Sequence, residues 1–232
     1  NGVLGTRFSG QKVGKTFVTL VGCGLPLLTF FLAISATLTL AAGGYQPLVE
    51  PAWRWASIGG SNFDIALYFD RLTAVMALIV TGVGTLIHVY SVGYMAHDHG
   101  FARFFAYLNL FLFFMLTLVL GRSLLVLFVG WEGVGLASYL LIGFWFDDPA
   151  NARAGKKAFV TNRVGDAGFL LGMFLLYGAL GTLDRDRINA AFAAGAVGPL
   201  SPAALSLPLV TFASLVGMLL FVGATGKSAQ IP

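Results

Sequence analysis

A single carboxylate lies deep in an apolar run. From Ser123 to Phe146, Glu132 is the only charged residue. A carboxylate at the centre of a membrane-length segment costs about 2.5–3.5 kcal/mol on insertion scales, so its default reading is a proton or ion pathway with a partner charge elsewhere. The plainer alternative is a carboxyl that hydrogen-bonds between helices and holds them together. Gly133 and Gly135 flank it on one side. Small residues let a neighbouring helix approach and leave room beside the carboxylate.

The chain has 14 basic and 10 acidic side chains, and only four of these fall inside apolar segments: Glu132, Arg163, Asp166 and Lys227. Arg163 and Asp166 are three apart, so on a helix they share a face. An internal ion pair offsets part of the cost of burying both. Two roles are open to them: a relay charge that couples neighbouring sites, or a structural pair with Arg163 reaching to the headgroups. Lys227 ends an apolar run that begins near Ala203. Gly223 and Gly226 precede it and Pro232 follows. That pattern fits a bent or broken helix, which is tolerated only where it lines a cavity or packs in protein. The alternative is an interfacial anchor.

Other candidates are weaker. His88 lies in an apolar segment, as a proton carrier or as an interhelical hydrogen bond. His97, Asp98 and His99 have the residue types of a metal site, but a solvated loop is the stronger reading and no metal site is expected. Asn109 could bridge helices. No phosphate loop, nucleophile triad, haem motif or zinc spacing is present, and Gly130, Gly133 and Gly135 follow no strand, so they make no nucleotide fingerprint.

The elements that must position these charges follow from composition. The chain is 57% hydrophobic and 10% charged, against about 25% charged in soluble domains, which makes the bilayer its solvent. Six apolar segments, near 16–42, 72–95, 103–121, 123–146, 157–181 and 205 to the end, approach or exceed the ~20 residues that cross ~30 Å of hydrocarbon. The runs do not alternate, which excludes a barrel, and helices satisfy their own backbone in lipid. The expected fold is an all-α, polytopic transmembrane helix bundle. Gly121-Arg122-Ser123 predicts a tight helical hairpin. The stretch near 43–71, with paired glycines, Pro47, Pro51, Trp53 and Trp55, reads as a long loop at the membrane surface, and 182–204 as another. We divide the chain into 1–71, a first helix with its extramembrane loop, and 72–232, the remaining helices.

Seven basic residues fall on one side of this topology and five on the other. The excess places residues 1–15 and 147–156 in the cytoplasm. The run from Thr16 to Ala42 is too long for a signal peptide. The single Cys23 forms no intrachain disulfide, and the scattered positive charge gives no nucleic-acid patch. With no initial Met and an end at Pro232, the chain reads as a fragment.

Four strings occur in order: RFFAYLNLF (103–111), GWEGVGLASYLLIGFWF (130–146), KAFVTNRVGDAGFLL (157–171) and GKSAQIP (226–232). Together they resemble the subunit L family of proton-pumping NADH:quinone oxidoreductase, respiratory complex I, to which mitochondrial NADH dehydrogenase subunit 5 belongs. The likeness runs from about Phe69 onward. It implies an antiporter-like fold of two inverted five-helix repeats, each with a broken helix, of which this chain holds most of the first. It implies a buried pair between the glutamate of WEG, Glu132, and the lysine of GKSAQ, Lys227, in a proton half-channel. Arg163 and Asp166, in RVGD, are implicated less directly. It further implies a multi-pass location in the bacterial inner membrane, beside other membrane-arm subunits. NADH oxidation and quinone reduction would occur in partner subunits, which hold FMN and iron–sulfur clusters, with no cofactor in this chain. Two alternatives remain at this stage: a subunit of a multisubunit cation/proton antiporter without redox partners, and a structural membrane scaffold.

Overall fold

The computed structural model describes residues 14–58, 61–195, 209–228 and 230. The basic residues Arg7 and Lys12, the paired glycines Gly59-Gly60, the stretch 196–208 and Pro232 lie outside these. Seven helices and one hairpin are described. They are α1 (Lys15–Ala42), β1 (Leu48–Ile58), β2 (Ser61–Phe69), α2 (Arg71–Tyr94), α3 (Phe101–Leu120), α4 (Leu124–Ile142), α5 (Pro149–Leu180), α6 (Arg185–Ala193) and α7 (Leu209–Ser228). The helices α1 to α5 are long and apolar enough to cross a membrane, and α7 adds a shorter apolar stretch, Thr211–Lys227. The polytopic helical bundle expected from the apolar runs is the fold observed.

The helices pack as a row. α1, α2 and α3 contact one another, α3 packs on α4, α4 on α5, and α5 on α7. Between α1 and α2 lies a core of Ala33, Leu40, Ala74 and Ala77, closed by Phe69 of β2. Asn109 of α3 donates to the Gly22 carbonyl of α1 at 3.2 Å. Gly130 of α4 lies against the Leu118 backbone of α3, where a methyl group would overlap it, and Gly133 meets the Phe114 ring in the same way. These glycines set the close α3–α4 approach.

Three expectations are corrected. The stretch read as a long loop, 43–71, forms an antiparallel hairpin with Leu48 opposite Phe69 and Ile58 opposite Ser61. Paired glycines between two runs rich in aromatic and branched residues are a hairpin signal. The prolines and the register shifts after Pro51 and Arg54 obscure the alternation. Trp53 and Trp55 are exposed on this hairpin. The second loop, 182–204, includes α6. The fifth span also begins at Pro149 rather than 157. Asp148 caps it by accepting from the Ala150 N–H at 2.8 Å, and proline fits the first helical position because its missing N–H is not needed there. Its far end stops at Gly181, left-handed at φ 66°, whose N–H reaches the Tyr177 carbonyl, a glycine C-cap.

Polar contacts close the hairpin end of the bundle. Arg122, between α3 and α4, pairs with Asp184 at 2.9 Å and lies 3.5 Å from Asp186. Arg185 pairs with Asp70, the N-cap of α2, at 2.5 Å. The Arg122 N–H donates to the Ala66 carbonyl of β2, and the Arg185 N–H donates to the Arg122 carbonyl. Hairpin, α3–α4 turn and α6 are thus tied by main chain as well as by charge.

The opposite end is closed by Asp98. Its carboxylate accepts from the Trp145 indole N–H at 2.8 Å and from the Gly100 N–H at 2.6 Å. Arg103 stacks its guanidinium on Phe144 and Phe146. The Trp145 hydrogen bond is the main influence holding the Asp98 carboxyl below its ordinary value, helped by Gly100, Arg103 and His99 and opposed by burial. A carboxyl depressed in this way stabilises the fold above its unfolded value, about 3.9, and the contribution is lost as pH falls through the lower folded value. On acidification, Trp145 fluorescence should therefore change with a midpoint below pH 3.9. A midpoint above it would contradict the assignment, and Asp98→Asn should abolish the transition.

A charged quartet between three helices

The four membrane-embedded charges converge where α4, α5 and α7 meet. Glu132 lies in α4, Arg163 and Asp166 in α5, and Lys227 at the end of α7. What brings α7 there is glycine. A Cβ on Gly226 would lie 3.0 Å from the Gly165 Cα, and one on Gly165 would lie 3.1 Å from the Gly226 Cα. The two backbones touch, so the next residue, Lys227, is carried across α5 to α4.

Arg163 is the hub. Its guanidinium forms an ion pair with Glu132, lies 3.0 Å from Asp166 on its own helix and stacks over Phe159. One cation thus serves two carboxylates, as the planar fork of arginine allows. Asp166 is only 2% exposed. Its other oxygen accepts from the Trp131 indole N–H at 2.5 Å. Lys227 donates to the Trp131 main-chain carbonyl at 2.6 Å and lies 5.2 Å from the Trp131 ring centre. Two acids and two bases make a set with no net formal charge, which is how ionised groups are carried inside a membrane.

The resemblance implied a pair between Glu132 and Lys227. The structure gathers both residues at one seam but pairs Glu132 with Arg163, while Lys227 binds a carbonyl of the residue next to Glu132. Side-chain spacing along one helix finds the Arg163–Asp166 pair. It says nothing of contacts between α4, α5 and α7. One member of the site, Trp131, escaped the sequence reading. Trp131 bridges Asp166 and Lys227, and the signal was an indole N–H in a dry segment, which needs a partner. Gly135, read from the sequence as a small residue leaving room beside the carboxylate, faces the cations instead.

The remaining candidates sit elsewhere. His88, 2% exposed in α2, bonds through Nδ1 to the Gly84 carbonyl at 2.7 Å. This is a contact within its own helix, and Nε2 has no partner. His97 and His99 are exposed on either side of Asp98. Among the described residues, no three His, Cys, Asp or Glu side chains are grouped to hold a metal.

Known proteins match this chain along most of its length. Residues 55–105 match the family described as NADH-Ubiquinone oxidoreductase (complex I), chain 5 N-terminus. Residues 121–232 match the family described as NADH:quinone oxidoreductase/Mrp antiporter, TM. NADH-quinone oxidoreductase subunit L of Mycobacterium tuberculosis is 46% identical over 97% of this chain and 34% of its own length. The Escherichia coli subunit L is 42% identical over 97% of this chain and 35% of its own. The chain spans about a third of the length of these relatives. In three dimensions it superposes on a chain of an archaeal respiratory membrane complex, the membrane-bound sulfane sulfur reductase. The TM-score is 0.71 at 21% identity, covering 93% of this chain and 40% of that one. A chain of the Mrp complex from Dietzia sp. gives a TM-score of 0.64 at 24% identity, covering 92% of this chain and 23% of that one. These two likenesses speak for the fold, and the identities over nearly the whole sequence for the family. This multi-pass membrane chain belongs to the subunit L, or chain 5, family of NADH:quinone oxidoreductase.

Proposed function

We propose that this chain forms part of a proton path in the membrane arm of a bacterial NADH:quinone oxidoreductase, with Glu132, Arg163, Asp166 and Lys227 as its charged relay. The observation that carries the reading is the quartet itself, four ionisable side chains from three helices in an otherwise apolar bundle. Arginine keeps its proton under all working conditions, so Arg163 acts as a fixed counter-charge. Lys227 and the two carboxyls are the groups that exchange protons. Arg163 faces both Glu132 and Asp166, and a shift of its guanidinium from one to the other changes the field at Lys227. A one-unit change in proton affinity corresponds to 1.36 kcal/mol, so small movements of a neighbouring charge gate transfer. A cavity of about 280 Å³ lies further along the α4–α5 seam, lined by Arg122, Leu125, Tyr177, Thr182 and Asp184 among others. Leu125 is roughly 10 Å along α4 from Glu132 by helical rise. It offers a hydrated approach from the hairpin end.

In this reading NADH oxidation and quinone reduction belong to partner subunits with their FMN and iron–sulfur clusters, and this chain contacts other membrane-arm subunits and the bacterial inner-membrane lipid. The division at residues 71 and 72 separates an accessory first helix and hairpin from the helices that carry charge. The match to a family that includes Mrp antiporters favours one second reading, a cation/proton antiporter subunit without redox partners. Vesicles bearing the whole assembly separate the two. Proton uptake driven by NADH and abolished by quinone-site inhibition supports the first, whereas proton movement driven by a sodium gradient without NADH supports the second.

A further inference from the structure

We infer that Gly135 is a positioning residue of the relay: its missing side chain opens a notch in α4 in which the Trp131 carbonyl holds the ammonium of Lys227. The inference rests on the proton-path reading above and adds to it a residue with no charge of its own. In an α-helix the carbonyl of residue 131 accepts from the N–H of residue 135, and the side chain at 135 stands beside that carbonyl. Glycine there leaves the second lone pair of the oxygen open to an outside donor. Lys227 Nζ takes it, at 2.6 Å. A Cβ built on Gly135 would lie 2.8 Å from Lys227 Nζ and 2.9 Å from Arg163 Nη2, and its next neighbour is Asn162 at 3.9 Å. The space that a methyl group would fill is therefore bounded by two cations rather than by apolar packing.

Neighbouring glycines differ. Gly133, two residues earlier, meets the Phe114 ring, and Gly130 meets the Leu118 backbone. Those two serve helix packing. Gly135 alone of the three opens toward the charges. The notch also explains why Lys227 reaches the α4 seam without pairing with Glu132: the carbonyl offers the ammonium a neutral acceptor while Arg163 occupies the carboxylate. Holding two cations around one small space keeps Lys227 responsive to any movement of Arg163. A neutral backbone carbonyl is a weaker partner than a carboxylate, so the ammonium is held without being locked.

The test uses the whole assembled oxidoreductase in sealed vesicles, with NADH oxidation and proton uptake measured together. Gly135→Ala should leave NADH oxidation in the presence of uncoupler near wild type and lower the protons taken up per NADH roughly tenfold, the effect of about 1.4 kcal/mol. A purely structural defect would lower both in proportion. Lys227→Met is measured alongside. Loss of uptake in Lys227→Met with wild-type uptake in Gly135→Ala overturns the notch and leaves the proton path standing, whereas wild-type uptake in both overturns the two together. Should Gly135→Ala fail to assemble, the double variant Gly135→Ala/Lys227→Ala decides. Recovery of assembly shows that the methyl group collided with the lysine, and continued failure overturns the inference.

Discussion

Arg163→Met is expected to destabilise the chain more than any other single charge removal, because it strips the partner from two carboxylates at once. Glu132 and Asp166 both face this guanidinium. Asp166 keeps the hydrogen bond from the Trp131 indole. Removing one member of a buried pair costs on the order of 3–5 kcal/mol, because the remaining charge is left uncompensated. The lower end applies here, since the side chains of Arg163 and Glu132 are 30% and 31% exposed. Arg163→Lys should be intermediate: it keeps the charge and loses the fork that reaches both acids. Adding Asp166→Asn to Arg163→Met should recover part of the loss by removing one orphaned charge. Thermal unfolding of the assembled complex in detergent measures all three. Equal stability of Arg163→Met and Arg163→Lys would refute the account of the hub.

Gly226→Val should separate α7 from α5 and remove Lys227 from the site. The Gly226 and Gly165 backbones are in contact, and a side chain at 226 would also meet the Gly165 nitrogen and the Thr161 carbonyl, each at 3.5 Å from its Cβ. These are main-chain atoms that cannot rotate away. Overpacking of this kind costs about 1–3 kcal/mol where the structure can adjust, and here adjustment means moving a helix. The expected result is loss of assembly on native gels, or an assembly that oxidises NADH without pumping. Gly217 lies on the same helix with no atom within 4 Å of its would-be Cβ. Gly217→Ala should be neutral or slightly stabilising, since alanine favours helix by up to about 1 kcal/mol. Matching defects at 217 and 226 would mean that α7 tolerates no change at all and that the glycine contact has no special part.

Much of this architecture is legible in the residues because the bilayer imposes a length rule. Runs of apolar residues near 16–42, 72–95 and 103–121 became α1, α2 and α3 within a few positions, and Gly121-Arg122-Ser123 became the turn before α4. The start of α5 was missed because Asn151, Arg153, Lys156 and Lys157 dilute its apolar character, although Asp148-Pro149 already carries a cap and a first-turn proline. The hairpin was missed because two prolines and two register shifts break the alternation that marks a strand. At the site, cost singled out Glu132: nothing else charged lies in its segment. The partners could not be read the same way. Which cation meets Glu132 depends on how α5 and α7 lie against α4, set by glycine contacts far apart in sequence. Trp131 entered only through geometry, by its indole and carbonyl, and Gly135, legible as a small residue beside Glu132, gained its place against the two cations only there.

The central claim is that the quartet moves protons, with Lys227 as the group that exchanges them. The direct measurement is NADH-driven proton uptake in vesicles bearing the assembled oxidoreductase, with Lys227→Met and Glu132→Gln compared with wild type at equal NADH turnover. The account predicts that both variants assemble and that both lose most of the protons taken up per NADH, while Glu132→Asp, which keeps the charge and shortens the reach, retains more. Assembled Lys227→Met complexes that pump at the wild-type ratio would contradict it and return Lys227 to the role of an interfacial anchor.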